Sequence, residues 1–195
     1  MKIIISTILA IIFMSGCSHK ISLSPSLNEL REVKVGNNID VNVGYYISNE
    51  DKKAEVTTPG GGGDKVKYTP YKDIEAALNT MLSRKFSRVY SLNSMNNKNI
   101  IETKNIKYIF TTNIHTNSSS SNILIWPPTD FSIDLTCKAV NTNNQKIWEE
   151  TVSGKGYANS GELMENFSLS AKRATKEAFS KMLIQLEKTN KFNNK

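Results

Sequence analysis

Apolar and polar residues alternate over residues 39–47, and this is the clearest local pattern in the chain. A period of two is that of a β-strand with one face in the core. The apolar positions are Ile39, Val41, Val43, Tyr45 and Ile47. The pattern therefore predicts a strand that is buried on one side.

The segment after Thr69 has the period of a helix. Thr69 is a favourable N-cap residue, and Pro70 suits the first helical position, where an N–H group is not needed. Apolar residues then recur every three or four positions, at Tyr71, Ile74, Leu78, Met81, Leu82 and Phe86. We expect this helix to pack on a sheet and to be followed by a short strand over residues 88–92.

The second half of the chain is dominated by extended runs. Residues 106–114 and 131–139 each alternate apolar and polar positions. A third run, residues 146–153, follows a polar turn, so we predict a hairpin between it and its predecessor. We expect Gly154 and Gly156 to end this third strand.

A long helix is expected at the end of the chain. Asn159 and Glu162 have the spacing of a capping box, which marks a helix start. The apolar stripe that follows comprises Phe167, Ala171, Ala174, Ala178, Phe179, Met182, Leu183 and Leu186. The basic residues 188–195 are expected to form a frayed tail.

This order of elements predicts one α+β domain over residues 39–187. We expect a two-layer structure with a mixed or antiparallel sheet of about 4–6 strands and two helices packed on one face. Residues 48–67 include four consecutive glycines, Gly60 to Gly63, so a mobile loop is expected there. A phosphate-binding loop is disfavoured, because the glycines are not followed by Gly-Lys-Ser/Thr.

Residues 1–16 have the features of a signal peptide. Lys2 precedes a mostly apolar run that is too short to span a bilayer and has the length of a signal-peptide hydrophobic region. The small residues Ser15 and Gly16 follow, and then Cys17. Residues 17–38 are mainly polar, and we expect them to form a tether.

The sequence Met14-Ser15-Gly16-Cys17 resembles the lipobox of bacterial lipoprotein precursors, although Met14 stands where the family usually has Leu. The resemblance implies cleavage before Cys17 and diacylglycerol on its sulfur. In this family, Ser18 after the cysteine implies sorting to the outer membrane. We expect the anchored domain to face the periplasm. Each buried methylene contributes about 0.8 kcal/mol, so three acyl chains would hold the domain on the membrane essentially permanently. The alternative is an ordinary secretory signal with a coincidental cysteine.

Composition and charge narrow the class of protein. The chain has 195 residues, of which 38% are hydrophobic and 22% charged, which excludes both a polytopic membrane protein and a disordered chain. Its formal net charge is +7, and loss of Lys2 with the signal peptide would leave +6. We expect the cations of the last helix to form its solvated face, and because no aromatic residues are interleaved with them on that face, we expect no nucleic-acid partner.

Two cysteines are too few for a disulfide framework. Cys17 would be consumed as a thioether, which leaves Cys137 without an intramolecular partner. The alternation over residues 131–139 places Cys137 on the core face of its strand. We therefore expect a buried free thiol.

Residues with catalytic or metal-binding chemistry are few. Neither Gly-x-Ser-x-Gly nor His-Glu-x-x-His occurs. A thioether at Cys17 could not act as a thiolate ligand beside His19, and His115 has no Cys or second His at metal-ligand spacing. We expect both histidines to be solvated. The acidic pairs are also expected to be solvated, and they are Asp130 with Asp134 and Glu149 with Glu150. We predict no enzymatic activity, no cofactor and no metal site.

An apolar stretch stands where a connection should be polar. It consists of Ile123, Leu124, Ile125 and Trp126, and it is followed by Pro127 and Pro128. One interpretation is that these residues extend a strand and cover the edge of the core. The other is a contact patch for a protein partner or for the membrane, because exposed apolar clusters with aromatic residues mark interfaces.

The chain resembles small outer-membrane lipoproteins of the YajG type. The matching features are the lipid cysteine, residues 21–25, the strand at 39–43, and Trp148 followed by Gly-x-Gly and an Ala-rich helix. The resemblance implies a non-enzymatic lipoprotein that binds or scaffolds a cell-envelope partner in secretion, peptidoglycan synthesis or a surface structure. The alternative is an auxiliary lipoprotein of a transport system for lipid or another small apolar ligand, which would require an apolar cavity.

Overall fold

The computed structural model describes residues 17–36, 38–122 and 124–192 and confirms the α+β class. The expected signal peptide lies outside these described residues. In chain order the elements are β1 (Ser18–Lys20), α1 (Leu27–Arg31), β2 (Ile39–Tyr46), α2 (Asn49–Lys53), β3 (Val56–Pro59), β4 (Lys65–Tyr68), α3 (Pro70–Ser83), β5 (Phe86–Leu92), α4 (Lys98–Thr103), β6 (Ile106–Ser119), β7 (Asp130–Asn141), β8 (Lys146–Tyr157), α5 (Ser160–Glu165) and α6 (Leu169–Lys188).

The strands form two mixed sheets. The larger sheet has five strands in the order β5-β2-β6-β7-β8. Its strand β2 runs parallel to both β5 and β6, whereas β7 is antiparallel to its two neighbours, β6 and β8. The smaller sheet has the order β1-β4-β3, with β1 parallel to β4.

Helices α3 and α6 pack together on one face of the larger sheet, as predicted. Phe179 of α6 and Leu78 of α3 are fully buried in the same core cluster as Phe110 of β6. On the opposite face, Ile109 packs in a second and smaller cluster with Ile101 of α4. Among the described residues, no helix combines the length and apolar character needed to cross a bilayer.

Strand β8 continues to Tyr157 and does not end at the two glycines, so that prediction is wrong. A Cβ atom at Gly154 would lie 2.1 Å from the Ala174 carbonyl oxygen, and one at Gly156 would lie 1.9 Å from the Ser170 carbonyl oxygen. The glycines therefore let the backbone of α6 approach β8 closely. Their role is in helix–sheet packing and not in a turn.

Two helix boundaries differ from the prediction. Helix α3 ends at Ser83, and Phe86 is the first residue of β5. The capping box of Asn159 and Glu162 is present, but it starts the short helix α5 and not the long one. Phe167 therefore lies in the turn between α5 and α6, where it is 44% exposed.

The segment expected to be a tether is packed into the domain. Strand β1 begins directly after Cys17 and pairs with β4. Ile21 and Leu23 are buried in the main core, and the Leu23 N–H donates to Asp73 Oδ2 of α3 over 2.8 Å. These contacts leave no free linker between Cys17 and the fold.

Phe192, the last residue that the structure describes, is also part of the core. Phe192 is fully buried, and its ring contacts four aromatic rings of the sheet with centroid distances of 5.1–5.9 Å. Those rings belong to Phe86, Tyr108, Phe110 and Trp148. The expectation of a frayed tail is wrong at this residue, because the aromatic contacts fix it.

Candidate functional site around Cys17

Cys17 is held at the edge of the smaller sheet by its backbone. Its N–H donates to Asp64 Oδ1 over 2.9 Å, and its carbonyl oxygen accepts from the Lys65 N–H over 2.9 Å. The residue itself is exposed. The main chain of Cys17 is therefore fixed to the domain while its side chain faces solvent.

His19 lies beside Cys17. We predicted that its side chain would be solvated, but it contacts both Asp64 and Trp126. Its Nε2 atom is 3.2 Å from Asp64 Oδ2. Its ring stacks on the indole of Trp126, with the centroids 4.2 Å apart and the planes at 18°. His19 therefore joins β1 both to the β3–β4 turn and to the segment after β6.

The four glycines form a tight turn between β3 and β4, and not the mobile loop that we expected. Gly62 and Gly63 have φ values of 65° and 85°. The Gly61 N–H donates to the Trp126 carbonyl oxygen over 2.8 Å, and a Cβ atom at Gly61 would lie 1.9 Å from the Ile125 carbonyl oxygen. The turn therefore packs directly against the connection between β6 and β7.

Polar contacts fix the smaller sheet on β6. The Tyr68 hydroxyl lies 2.6 Å from Thr116 Oγ1, and the Ser118 hydroxyl donates to the Pro59 carbonyl oxygen. Burial raises the pKa of Tyr68, so this hydroxyl stays protonated at neutral pH. The site around Cys17 thus rests on a rigid support.

The connection between β6 and β7 carries the predicted apolar patch. Ile123 lies outside the described residues. Leu124 is 87% exposed, whereas Ile125 and Trp126 are half-buried. Trp126 also contacts the ring of Phe167, with a centroid distance of 4.9 Å. The described part of this segment contains no strand, so it does not extend β6, but Trp126 packs against the edge of the main core.

Both ends of this connection are anchored. The Asn122 side-chain amide donates to Ser160 Oγ over 2.7 Å, and the Leu124 N–H donates to Asn122 Oδ1. After Trp126, the buried Ser170 hydroxyl donates to the Pro128 carbonyl oxygen over 2.7 Å. Leu124 is therefore presented to solvent by a well-supported backbone.

The site contains three groups that can act as metal ligands. The thiol of Cys17, a ring nitrogen of His19 and a carboxylate oxygen of Asp64 lie within 4.8 Å of one another. Zinc would need the Cys17 thiolate, and a lipid thioether removes it. The metal site and the lipid anchor therefore exclude each other at Cys17.

The other candidate residues are not brought to this site. His115 is exposed on β6, opposite Asp134 of β7. Cys137 is fully buried as predicted, and burial raises its pKa to about 12. The acidic residues are all exposed, namely Asp130, Asp134, Glu149 and Glu150. Sequence inspection missed Asp64 and Phe167 as site residues, because only the folded chain brings Asp64 to Cys17 and Phe167 to Trp126.

The described grooves are open to solvent. One of about 260 Å³ lies at the end of β6, β7 and β8, and includes Ser118 and Lys155. Another of about 500 Å³ lies between the N-terminal segment and α6, where Arg173 is paired with Glu162. Neither of these two grooves lies between the larger sheet and its helices.

No protein-family model and no curated protein matches the chain. Three solved structures have a similar course of the chain. A Xanthomonas campestris protein of the DUF330 family shares 10% identity, with a TM-score of 0.45 over 88% of this chain and 92% of that one. PelC of Paraburkholderia phytofirmans, a dodecamer, shares 13% identity, with a TM-score of 0.44 over 79% and 95%. A candidate lipoprotein of Caulobacter crescentus shares 8%, with a TM-score of 0.31 over 48% and 78%. Similarity at this level assigns neither a family nor a function.

Proposed function

We propose that this chain is an outer-membrane lipoprotein of the YajG type, held by acyl chains on Cys17 and facing the periplasm. The observation that carries the proposal is the lipobox-like sequence Met14-Ser15-Gly16-Cys17, together with the exposure of the Cys17 side chain. A sulfur atom that is to receive diacylglycerol must be accessible. The exposed position of Cys17 is compatible with that modification.

The proposed role is non-enzymatic binding or scaffolding of a cell-envelope protein. His115 and the acidic residues of β7 and β8 are exposed and lie on strands away from Cys17. This separation of the side chains with catalytic potential supports a non-enzymatic role. In this proposal, the acyl-anchored domain holds its partner at the membrane surface. No observation in the described residues favours the alternative of a lipid carrier, since Phe179, Met182 and Leu183 fill the space between sheet and helices.

Metabolic labelling with an alkyne analogue of palmitate tests the anchor. We expect label on the wild-type protein and none on Cys17→Ser. Cys137→Ser is the matched control and should keep the label, because this second cysteine is buried. Label that persists in Cys17→Ser, or its absence from the wild type, would refute the anchor.

Crosslinking in intact envelopes, followed by affinity purification, tests the partner. We expect an envelope protein to be recovered with the wild-type chain and lost with Cys17→Ser, which is not held at the membrane. If no envelope protein is recovered from labelled, membrane-bound protein, the scaffold role is wrong while the anchor stands. The two parts of the proposal are therefore separable.

A further inference from the structure

Cys17, the proposed attachment point, is joined to the folded domain without a flexible linker. Both backbone polar groups of Cys17 are bonded to the β3–β4 hairpin, at Asp64 and Lys65. The next residue, Ser18, already pairs with Lys65 in the smaller sheet. Acyl chains on the Cys17 sulfur would therefore leave from the surface of the domain itself. The membrane surface must then lie against this end of the fold.

An apolar surface adjoins that point. His19 is two residues after Cys17, a distance of about 7 Å at most, and its ring stacks on Trp126. Trp126 in turn contacts Phe167, which is 44% exposed. Leu124, two residues before Trp126, is 87% exposed. We call Leu124, Trp126 and Phe167 the apolar rim.

The charges around Cys17 suit a phospholipid surface. Lys20 and Lys65 are exposed on the smaller sheet beside the attachment point. The nearby carboxylate of Asp64 is already engaged by the Cys17 N–H and by His19. Exposed cations beside an acyl attachment point match the headgroup region of a bilayer, and the indole of Trp126 suits the same region.

We propose that the apolar rim inserts into the phospholipid leaflet that holds the acyl chains of Cys17. The domain then docks on the membrane in one orientation and does not swing on a tether. This inference rests on the proposed lipidation of Cys17. Its occupant is the bilayer, because the rim is continuous with the anchor point through the His19–Trp126 stack.

Fluorescence quenching by lipid tests the insertion. The acylated mature protein is placed in phospholipid vesicles whose acyl chains carry bromine, which quenches nearby tryptophan. The chain has two tryptophans, and Trp148 is buried in the core at 7% exposure. We expect Trp148→Phe to lose most of its emission in brominated vesicles and Trp126→Phe to lose little. If Trp148→Phe does not fold, the difference between the wild type and Trp126→Phe gives the same result.

A matched pair of surface variants tests the rim itself. Leu124→Ser should reduce the quenching of Trp126, and it should not affect folding because Leu124 is so exposed. Ile184→Ser removes an apolar side chain that is 42% exposed near the far end of α6, and it should leave the quenching unchanged. Equal quenching in Leu124→Ser and the wild type would overturn the inserted rim.

A photoreactive amino acid at position 124 identifies the occupant in intact envelopes. We expect adducts with phospholipid. A discrete protein adduct would overturn the inference and make the rim a protein interface. Mass spectrometry of Cys17 separates the two proposals. Protein without acyl chains refutes the anchor and this inference together, whereas acylated protein with unquenched Trp126 refutes the inserted rim alone.

Discussion

The imidazole of His19 lies flat against the indole of Trp126, with 4.2 Å between the ring centroids. This contact joins the first strand of the domain to a connection in its second half. Asp64 holds His19 from another side and also bonds the Cys17 backbone. These contacts therefore fix the backbone of Cys17, the proposed anchor residue, to the folded domain.

Asp64→Ala should release the N-terminal strand. The substitution removes the acceptor of the Cys17 N–H and the partner of His19, which together contribute about 1–2 kcal/mol. Amide hydrogen exchange at residues 17–20 should accelerate, while the core strands keep their protection. Asp40→Ala is the control, because Asp40 is exposed and bonds only to Ser87 among the described contacts. Unchanged exchange at residues 17–20 would show that β1 pairing alone holds the segment.

Gly154→Ala and Gly156→Ala should each destabilise the domain. The added methyl group would lie within 2.1 Å of a backbone oxygen of α6, so the helix must move away from β8. We expect a loss of about 2–3 kcal/mol in the free energy of unfolding, measured by denaturant titration. Gly161→Ala is the control, since its Cβ would come no closer than 3.4 Å to Asn159 Oδ1. Wild-type stability in both variants would contradict the close packing.

The regular elements could be predicted because their patterns are local. The alternation at 39–47 and 131–139 gave β2 and β7, and helical spacing after Thr69 gave α3. The two glycines of β8 were misassigned, because a glycine required by an approaching helix looks the same in sequence as one that ends a strand.

The N-terminal segment and the site could not be predicted in this way. Strand β1 has only three residues, and its partner β4 lies more than forty positions later. Short segments of this kind acquire order from tertiary contacts, here the burial of Ile21 and Leu23. For the same reason, nothing in the spacing of His19, Asp64 and Trp126 indicates that they meet.

Phe192→Ala tests whether the side chain of Phe192 contributes to the core. Phe192 is fully buried among four aromatic rings, so its truncation should cost about 3 kcal/mol. Thermal or denaturant unfolding measures the change. Lys191→Ala, at the exposed neighbouring position, should have no effect. If Phe192→Ala unfolds like the wild type, the terminal residues do not contribute to the core in solution.

Asp73→Asn should change how the free energy of unfolding depends on pH, because Asp73 is the buried carboxyl that accepts from the Leu23 N–H. Burial raises the pKa of Asp73, although the Leu23 N–H lowers it in part. A raised pKa in the folded state means that Asp73 favours folding at low pH, and that this contribution is lost as the pH rises through the folded-state pKa. The amide oxygen of the substitute can still accept from Leu23. We therefore expect Asp73→Asn to be at least as stable as the wild type at pH 7.

To check this, the free energy of unfolding of the wild type and of Asp73→Asn is measured over a range of pH. The advantage of Asp73→Asn should shrink as the pH falls through the raised pKa of Asp73 and the wild-type carboxyl becomes protonated. Asp73→Ala lacks the acceptor and should be less stable than Asp73→Asn at every pH. A variant that loses stability relative to the wild type as the pH rises would contradict the assigned direction of the pKa shift.

The thiol of Cys137 should be unreactive in the native protein. Burial raises the pKa of its thiol to about 12, so only about one molecule in ten thousand carries the thiolate at pH 8. In a Cys17→Ser background, we expect a maleimide to label the chain only after unfolding in denaturant. Lys138→Cys in the same background is the control, because position 138 is the exposed neighbour on β7. It should be labelled rapidly without denaturant, and equally rapid native labelling of Cys137 would show that the core of the sheet is open to solvent.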